Sequence, residues 1–309
     1  MRTPSISALG VASRDELHVI GHYPSEGNWA PILRTDIATG GTTGNLATAA
    51  AKLGANVAFV GKMGSDPAGN AVLTDLESAG VDCSRVERID APTDLSVVLV
   101  SADTGERTIL WRIGPYLVRG DHIDIDALFG TDLTVLDCPD LPLRRFLTDL
   151  PAHTRPAARL MGTLTYLAAV PNADKLAIAL RHDVLVGNER EYQQLTGASS
   201  GRAGLEIVQA AMVGSNLRQA YMTMGSLGAI AAERNSWWER SALTVDVVDT
   251  TGAGDAFAGA IAYATSVRMA PERALQFAVT TASFVVSGLG AQAPQPCRDD
   301  VLDRMQWTE

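Results

Sequence analysis

Lysine is nearly missing from this chain of 309 residues: only Lys52, Lys62 and Lys175 occur. The formal charge is −10 and no run of Lys and Arg interrupts it, so neither nucleic acid nor an anionic membrane is an expected partner. Cysteine is scarce as well. Cys83, Cys138 and Cys297 are odd in number and far apart, form no Cys-x-x-Cys pair and have no histidine at metal-ligand spacing, which points to buried thiols in a reducing compartment. No apolar run reaches the roughly 18 residues that a membrane span needs, and the opening stretch MRTPSISALGVASRDEL has no secretory apolar region. A cytoplasmic location is the expectation. Internal repeats, low-complexity tracts and an interdomain linker are missing too, so a single domain over residues 1–309 is expected.

What is present is a 46% apolar composition, ample for a buried core. Short apolar runs alternate with helix-period segments, the pattern of an α/β fold with a mostly parallel sheet covered by helices on both faces. The spacing predicts strands at 5–9, 56–61, 132–137, 183–188, 220–224 and 243–248. Residues 66–80 predict a helix with Asp66 as N-cap, Pro67 at its first position, Leu73 and Leu76 on the inner face and Gly80 as the stop. Two segments break the alternation. Residues 93–113 hold two β-rich runs joined by Asp-Thr-Gly-Glu, a hairpin, and the irregular stretch 14–39 supplies companion strands. A small accessory sheet, a lid over about 11–38 and 93–115, accounts for both.

The stretch VDVVDTTGAGDAFAGAIAYA, residues 245–264, places Gly252-Ala253-Gly254-Asp255 between an apolar run and an alanine-rich helix. Helix N-termini leave backbone N–H groups unpaired and carry partial positive charge, so they hold phosphate well. The same field favours an ionised Asp255 at neutral pH. Taken alone, Asp255 reads as an N-cap and the glycines as turn residues, since so short a motif matches by chance. A dinucleotide fingerprint fits poorly because Phe257 stands where a small third residue is needed, and the only Gly-Lys, Gly61-Lys62, is followed by Met63, which excludes a Walker loop. With so few lysines, phosphate charge has to be met by backbone N–H groups, arginine or a metal ion.

A second glycine element occupies residues 40–69, with Gly40-Gly41 before a helix that carries Asn45, an amide able to donate to and accept from hydroxyls. Together with Gly54, Gly64, Asp66 and Gly69, and with Asp249, Gly252, Gly254 and Asp255 late in the chain, these residues resemble the two signatures of the ribokinase-like (PfkB) carbohydrate kinase family. The resemblance extends to Asn188 and Glu191 in the Asn-x-x-Glu of NERE, and to Thr223, Gly225 and Gly228 in TMGSLGA.

The resemblance implies a three-layer α/β/α sandwich with a small β-sheet lid, and an ATP-dependent phosphotransferase acting on a hydroxymethyl group of a sugar or sugar acid. It assigns Asp255 as general base, with Gly252, Ala253 and Gly254 forming an anion hole. It places Asn188, Thr223, Gly225, Gly228 and Gly254 at the nucleotide, and Glu191 near Mg²⁺ through water. Asp249, Thr251, Val285, Gly288 and Gly290 match carbonyl ligands of a monovalent cation, K⁺. Asp15, Gly40, Gly41, Asn45 and Asp137 match the acceptor side, although Asp137 reads equally as a loop-start carboxylate. Residues 160–168, LMGTLTYLA, depart from the Asp-x-Asn-x-Arg of many relatives and leave the acceptor open.

Alternation on the hairpin puts Ile109, Trp111 and Ile113 on one face and Leu110 and Arg112 on the other. One face is expected to cap the acceptor and the other to pair with a second copy, giving a homodimer. Two further readings stand beside the sugar kinase: a nucleoside kinase using Trp29, Trp111 or Tyr116 as a base platform, and a non-catalytic sugar-binding protein on the same scaffold. Trp237-Trp238 reads as a hairpin tip, as a neighbour of the nucleotide, or as edge packing.

Overall fold

The computed structural model describes residues 2–150, 159–171, 173–288 and 295–306. In the first third run β1 (Ser5–Leu9), β2 (Ser13–Ile20), β3 (Ile32–Gly40), α1 (Thr42–Lys52), β4 (Asn56–Gly64), α2 (Pro67–Ser78), β5 (Val81–Ile89), β6 (Leu95–Ser101) and β7 (Arg107–Arg112). The middle holds α3 (Ile125–Phe129), β8 (Leu133–Leu136), α4 (Leu141–Asp149), β9 (Arg159–Thr163), α5 (Thr165–Ala169), α6 (Lys175–Ala179), β10 (Val184–Asn188), α7 (Glu189–Thr196) and α8 (Gly201–Ala211). The last third holds β11 (Gln219–Thr223), β12 (Ala229–Glu233), β13 (Ser236–Arg240), α9 (Ala253–Ser266), α10 (Pro271–Val285) and α11 (Arg298–Gln306).

The main sheet has nine strands in the order β13-β12-β11-β10-β9-β8-β1-β4-β5. All its pairs are parallel except β11–β12 and β12–β13, which are antiparallel. Central parallel strands are covered on both faces, which is why SISAL and its neighbours are continuous apolar runs rather than alternating ones. One face packs Ile6, Phe59 and Val135 against Leu46, Phe257 and Phe277 of α1, α9 and α10. The other packs Leu185 and Met222 against Tyr192 and Leu205 of α7 and α8. Each such buried side chain stabilises the fold by roughly 1.5–3 kcal/mol. The result is the three-layer α/β/α sandwich.

Helix α2 forms as its sequence dictates. Asp66 accepts from the Gly69 amide at 2.9 Å, Pro67 sits at the first turn, and Gly80 follows at φ 93°. The Asp66 carboxylate also accepts from the Thr93 hydroxyl at 2.5 Å and the Thr93 amide at 3.0 Å. Burial alone raises its pKa, but these donors outweigh burial and hold it below the usual carboxylate range. An N-cap thereby ties α2 to the segment entering β6.

A separate four-stranded sheet runs β3-β2-β6-β7. The β6–β7 hairpin is antiparallel, as the sequence predicts, and β2 pairs parallel to β6. Register places Ala38, Asp15, Ser96 and Trp111 in one cross-strand row, so Trp111 shares a face with Asp15. Leu110 and Arg112 project from the opposite face, but β7 is an edge strand and is exposed on both.

Two expectations are corrected, for residues 243–248 and for Cys297, and one of the readings of Trp237-Trp238 is borne out. Residues 243–248 form no strand: Val247 and Val248 are exposed, and the amides of Val248 and Asp249 donate to the Val286 carbonyl instead. Trp237 and Trp238 stand in β13 and pack against opposite apolar layers, with Arg202 over the Trp237 ring at 5.1 Å; they are edge packing. Cys83 and Cys138 are buried, whereas Cys297 is exposed because it lies on the surface segment just before α11.

Candidate active site

The C-terminal ends of β8, β9, β10 and β11 face the N-termini of α1, α7 and α9 across a cleft of about 460 Å³, counting its solvent-filled mouth. Thr42, Asp137, Thr163, Thr165, Asn188, Glu191, Thr223, Gly254 and Asp255 line it. Ligand sites of open α/β sheets lie at this end of the strands.

Helix α9 begins at Gly252, whose φ of 77° is one that residues with a Cβ rarely adopt. No side chain caps this helix, so the first-turn amides of Gly254 and Asp255 lack a side-chain acceptor at the cleft. The Ala253 amide is turned toward the Thr250 carbonyl at 3.3 Å. Asn45, from α1, donates its amide to Asp255 Oδ2 at 2.8 Å. Two residues 210 positions apart thus meet at the cleft floor.

Asp137 is fully buried in a cage of hydroxyls. Thr42 and Thr43 donate to Oδ2 at 2.5 and 2.8 Å, and Thr163 donates to Oδ1. Burial raises its pKa, against the pull of these donors. Asp15 lies in the small sheet, where Ser13 donates to Oδ1 at 2.8 Å. A Cβ on Gly40 would collide with the Asp15 carboxyl, and Gly41 has a φ of 81° with the Ala12 backbone close by, so this glycine pair lets the strand of Asp15 approach α1.

The electrostatics correct the expectation of an ionised Asp255. Burial, with the nearby charges of Asp137, Glu191 and Asp15, pushes its pKa up to about 7 against the pull of Asn45. Glu191 and Asp15 are raised as well, each chiefly by burial. The helix field is outweighed because several carboxylates share one enclosed site, and among the described residues no Lys, Arg or His lines the cleft.

Comparison with known proteins decides the family. The model for the pfkB family carbohydrate kinase matches residues 25–298. The chain belongs to this family. A deoxyribokinase of Salmonella typhi is 28% identical over 295 residues, covering 94% of this chain and 95% of the relative. A ribokinase from Thermotoga maritima superposes with a TM-score of 0.84 at 22% identity, covering 98% of this chain and 99% of that one. A ribokinase of Arabidopsis thaliana, solved with ribose and ATP, gives 0.84 at 24% identity, covering 99% of each. The protein is therefore an enzyme, a carbohydrate kinase with the ribokinase fold.

Within this kinase, Asn188 and Glu191 make a reciprocal capping box at the start of α7: Asn188 Oδ1 accepts from the Glu191 amide at 2.9 Å, and the Glu191 carboxyl accepts from the Asn188 amide at 2.8 Å. Cap and cleft lining are one arrangement. Thr223 reaches the cleft from the end of β11, while Gly225 and Gly228 form the turn that follows and do not line it. Among the described residues no group of three His, Cys, Asp or Glu can hold a metal ion. Mg²⁺ is nevertheless compatible with the cleft, because it keeps water and phosphate oxygens as ligands and asks for one or two carboxylates; Glu191 is the residue that would meet it. Bound there, Mg²⁺ would neutralise phosphate charge that no lysine or arginine among the described cleft-lining residues meets.

For the monovalent site, the hydrogen bonds to Val286 bring residues 248–251 beside 285–288, and Asp249 Oδ1 accepts from the Thr251 amide and hydroxyl at 2.9 and 2.7 Å. Gly290 lies outside the described residues. Sequence reasoning missed Thr42, Thr163, Thr165 and Tyr166. Thr42 follows Gly41 directly, so a signal was there. Thr163, Thr165 and Tyr166 lie in the segment that departs from relatives, which marked the position without naming its role. The phenol pKa of Tyr166 is raised by burial first, and then by Asp137, Asp94 and Asp255.

Proposed function

We propose that this kinase transfers the terminal phosphoryl group of ATP to a hydroxymethyl group of a sugar, with Asp255 as the base. The observation that carries the reading is the pairing of Asn45 with Asp255 beside the uncapped start of α9. The acceptor O–H gives its proton to the Asp255 carboxylate, the oxygen forms a bond to the terminal phosphorus, and the bond to the bridging oxygen breaks with its electrons leaving on ADP. Asn45 holds the carboxylate while the amides of Gly254 and Asp255 stabilise charge on the migrating group. Asp15 offers an acceptor for a further hydroxyl. Asp137 acts mainly by fixing Thr42 and Thr163, since its oxygens are already in use. Mg²⁺ beside Glu191, and K⁺ near 249–251, belong to the same reading. The Arabidopsis relative that holds ribose and ATP on this fold supports it.

The test is an ADP-release assay with D-ribose, 2-deoxy-D-ribose, fructose, 2-keto-3-deoxygluconate and adenosine, each with ATP, Mg²⁺ and K⁺. Turnover that depends on a neutral sugar and disappears with a chelator is expected. Adenosine as the sole acceptor turned over would make the protein a nucleoside kinase; binding without turnover on the whole panel would make it a non-catalytic sugar binder.

The small sheet also exposes Ile32, Leu33, Ile37, Ile109, Leu110 and Ile113. An apolar edge of this kind needs cover, and a second copy of the chain supplies it in this reading. Sedimentation velocity at micromolar concentration is expected to show a dimer; monomer alone would remove the proposal.

A further inference from the structure

Asp94, on the segment entering β6, is 6% exposed and so must be satisfied by the protein. Its donors all come from the β7 arm of the hairpin. The Trp111 indole N–H lies 2.9 Å from Oδ1 and 3.1 Å from Oδ2, and the Gly114 amide donates to Oδ2 at 3.0 Å. The Asp94 carbonyl accepts from the Arg14 amide at 2.9 Å, which ties it to β2. Thr93 next to it is held by Asp66 at the start of α2. One short segment therefore joins the helical body to both arms of the small sheet.

The side chains of Asp94, Ser96 and Trp111 share the face that carries Asp15. Asp15 and Asp94 are close enough for each charge to bear on its surroundings there, and both Asp94 and Asp255 bear on Tyr166. Asp15 packs against Gly40, two residues before Thr42 of the cleft, and so, in the kinase reading, this face borders the acceptor. Trp111 spends its one polar atom on Asp94, yet the residue remains 53% exposed, so what it offers is the carbon surface of the ring. A sugar ring has the complementary form: an apolar C–H face with hydroxyls at its rim.

We propose that Asp94 is a positioning residue that fixes the Trp111 indole as the wall of the acceptor cleft on the small-sheet side, against which the acceptor packs the C–H face of its ring. The hydroxyls then point to Asp15, Asn45 and Asp255. This rests on the kinase reading above. An acceptor without a ring face loses the contact, whereas nucleotide binding, on the far side of Asp255, does not depend on it.

The experiment compares wild type, Trp111→Phe, Asp94→Ala and the double variant, using D-ribose and 2-deoxy-D-ribose. Trp111→Phe keeps an aromatic ring and removes the N–H, so it is the variant that folds most safely. Either single change is expected to raise the acceptor KM about fivefold to tenfold, with kcat and the KM for ATP within about twofold, and the double variant to do no worse than Asp94→Ala alone, because the Trp111–Asp94 bond is lost in all three. Quenching of indole emission on titrating D-ribose, read without turnover, is expected in wild type and lost in Trp111→Phe. An unchanged acceptor KM in Trp111→Phe, additive losses in the double variant, or quenching that survives the substitution would overturn the proposal. Absence of sugar-dependent ADP release in wild type alongside normal quenching would strike the kinase reading and leave the wall in place.

Discussion

Asp255→Asn is expected to lower kcat by at least about 10²-fold, the usual scale for loss of a general base, while nucleotide affinity stays within a few-fold of wild type. Asparagine is nearly isosteric and its carbonyl oxygen can still accept from Asn45, so the bond at 2.8 Å that positions the side chain has a replacement. What is lost is the capacity to receive the acceptor's proton. The amides of Gly254 and Asp255 are backbone groups and survive the change. Phosphoryl transfer passes through a loose transition state that draws on the base late, so residual turnover from positioning and charge stabilisation is expected instead of complete loss. Steady-state ADP release and calorimetric titration of a non-hydrolysable nucleotide check the two halves. Turnover near the wild-type rate would remove Asp255 from its role.

The second large effect is a pH dependence in which activity and stability run in opposite directions. In the ligand-free protein the Asp255 pKa is pushed up to about 7 from an ordinary value of 3.8, by burial first and then by Asp137, Glu191 and Asp15. A carboxyl whose folded-state pKa is raised adds stability that is fully present below the unfolded pKa and is lost as pH rises through the folded pKa. The window is therefore from about pH 4 to about pH 7, and the penalty is complete above it. A shift of this size corresponds to about 4 kcal/mol at 1.36 kcal/mol per unit. Asp255→Asn carries no such penalty. Its melting temperature is expected to match wild type near pH 4 and to exceed it by about 5 °C or more at pH 8. In wild type, kcat/KM is expected to fall about tenfold per pH unit well below 7, because the protonated carboxyl cannot act as base. Scanning calorimetry of both proteins from pH 4 to 8 tests the stability arm. A stability difference that does not change with pH would show that Asp255 is ionised throughout, as its place in the first helical turn alone implies.

Some of this was legible locally. The helix from Pro67 was readable because cap, first-turn proline and terminal glycine act within a few residues of one another. The start of α9 was readable for the same reason, since Gly252 and Gly254 mark a turn wherever the rest of the chain goes. The hairpin of β6 and β7 followed from its own turn. Residues 243–248 failed because β-propensity says that a segment suits a sheet, not which partners its backbone will meet; the amides of Val248 and Asp249 go to the Val286 carbonyl instead.

The cleft shows the same division. Asn45 and Asp255 could be named from their motifs, but their bond depends on α1 and α9 packing side by side. The threonine cage of Asp137 draws on residues from β9 and α1 that have no sequence relation to it. The Asp94–Trp111 contact likewise exists only because β6 and β7 fold back on one another.

Sequence by itself determined the layered α/β plan, the glycine turn that opens α9 and the carboxylate that follows it, because chain geometry and helix ends are set by neighbours within a turn or two. Only the tertiary structure decided which acids share the cleft, how strongly each holds its proton and which side chains are already engaged. Burial and Coulomb fields act through space, and their strength depends on what the fold brings within a few ångströms and shields from water.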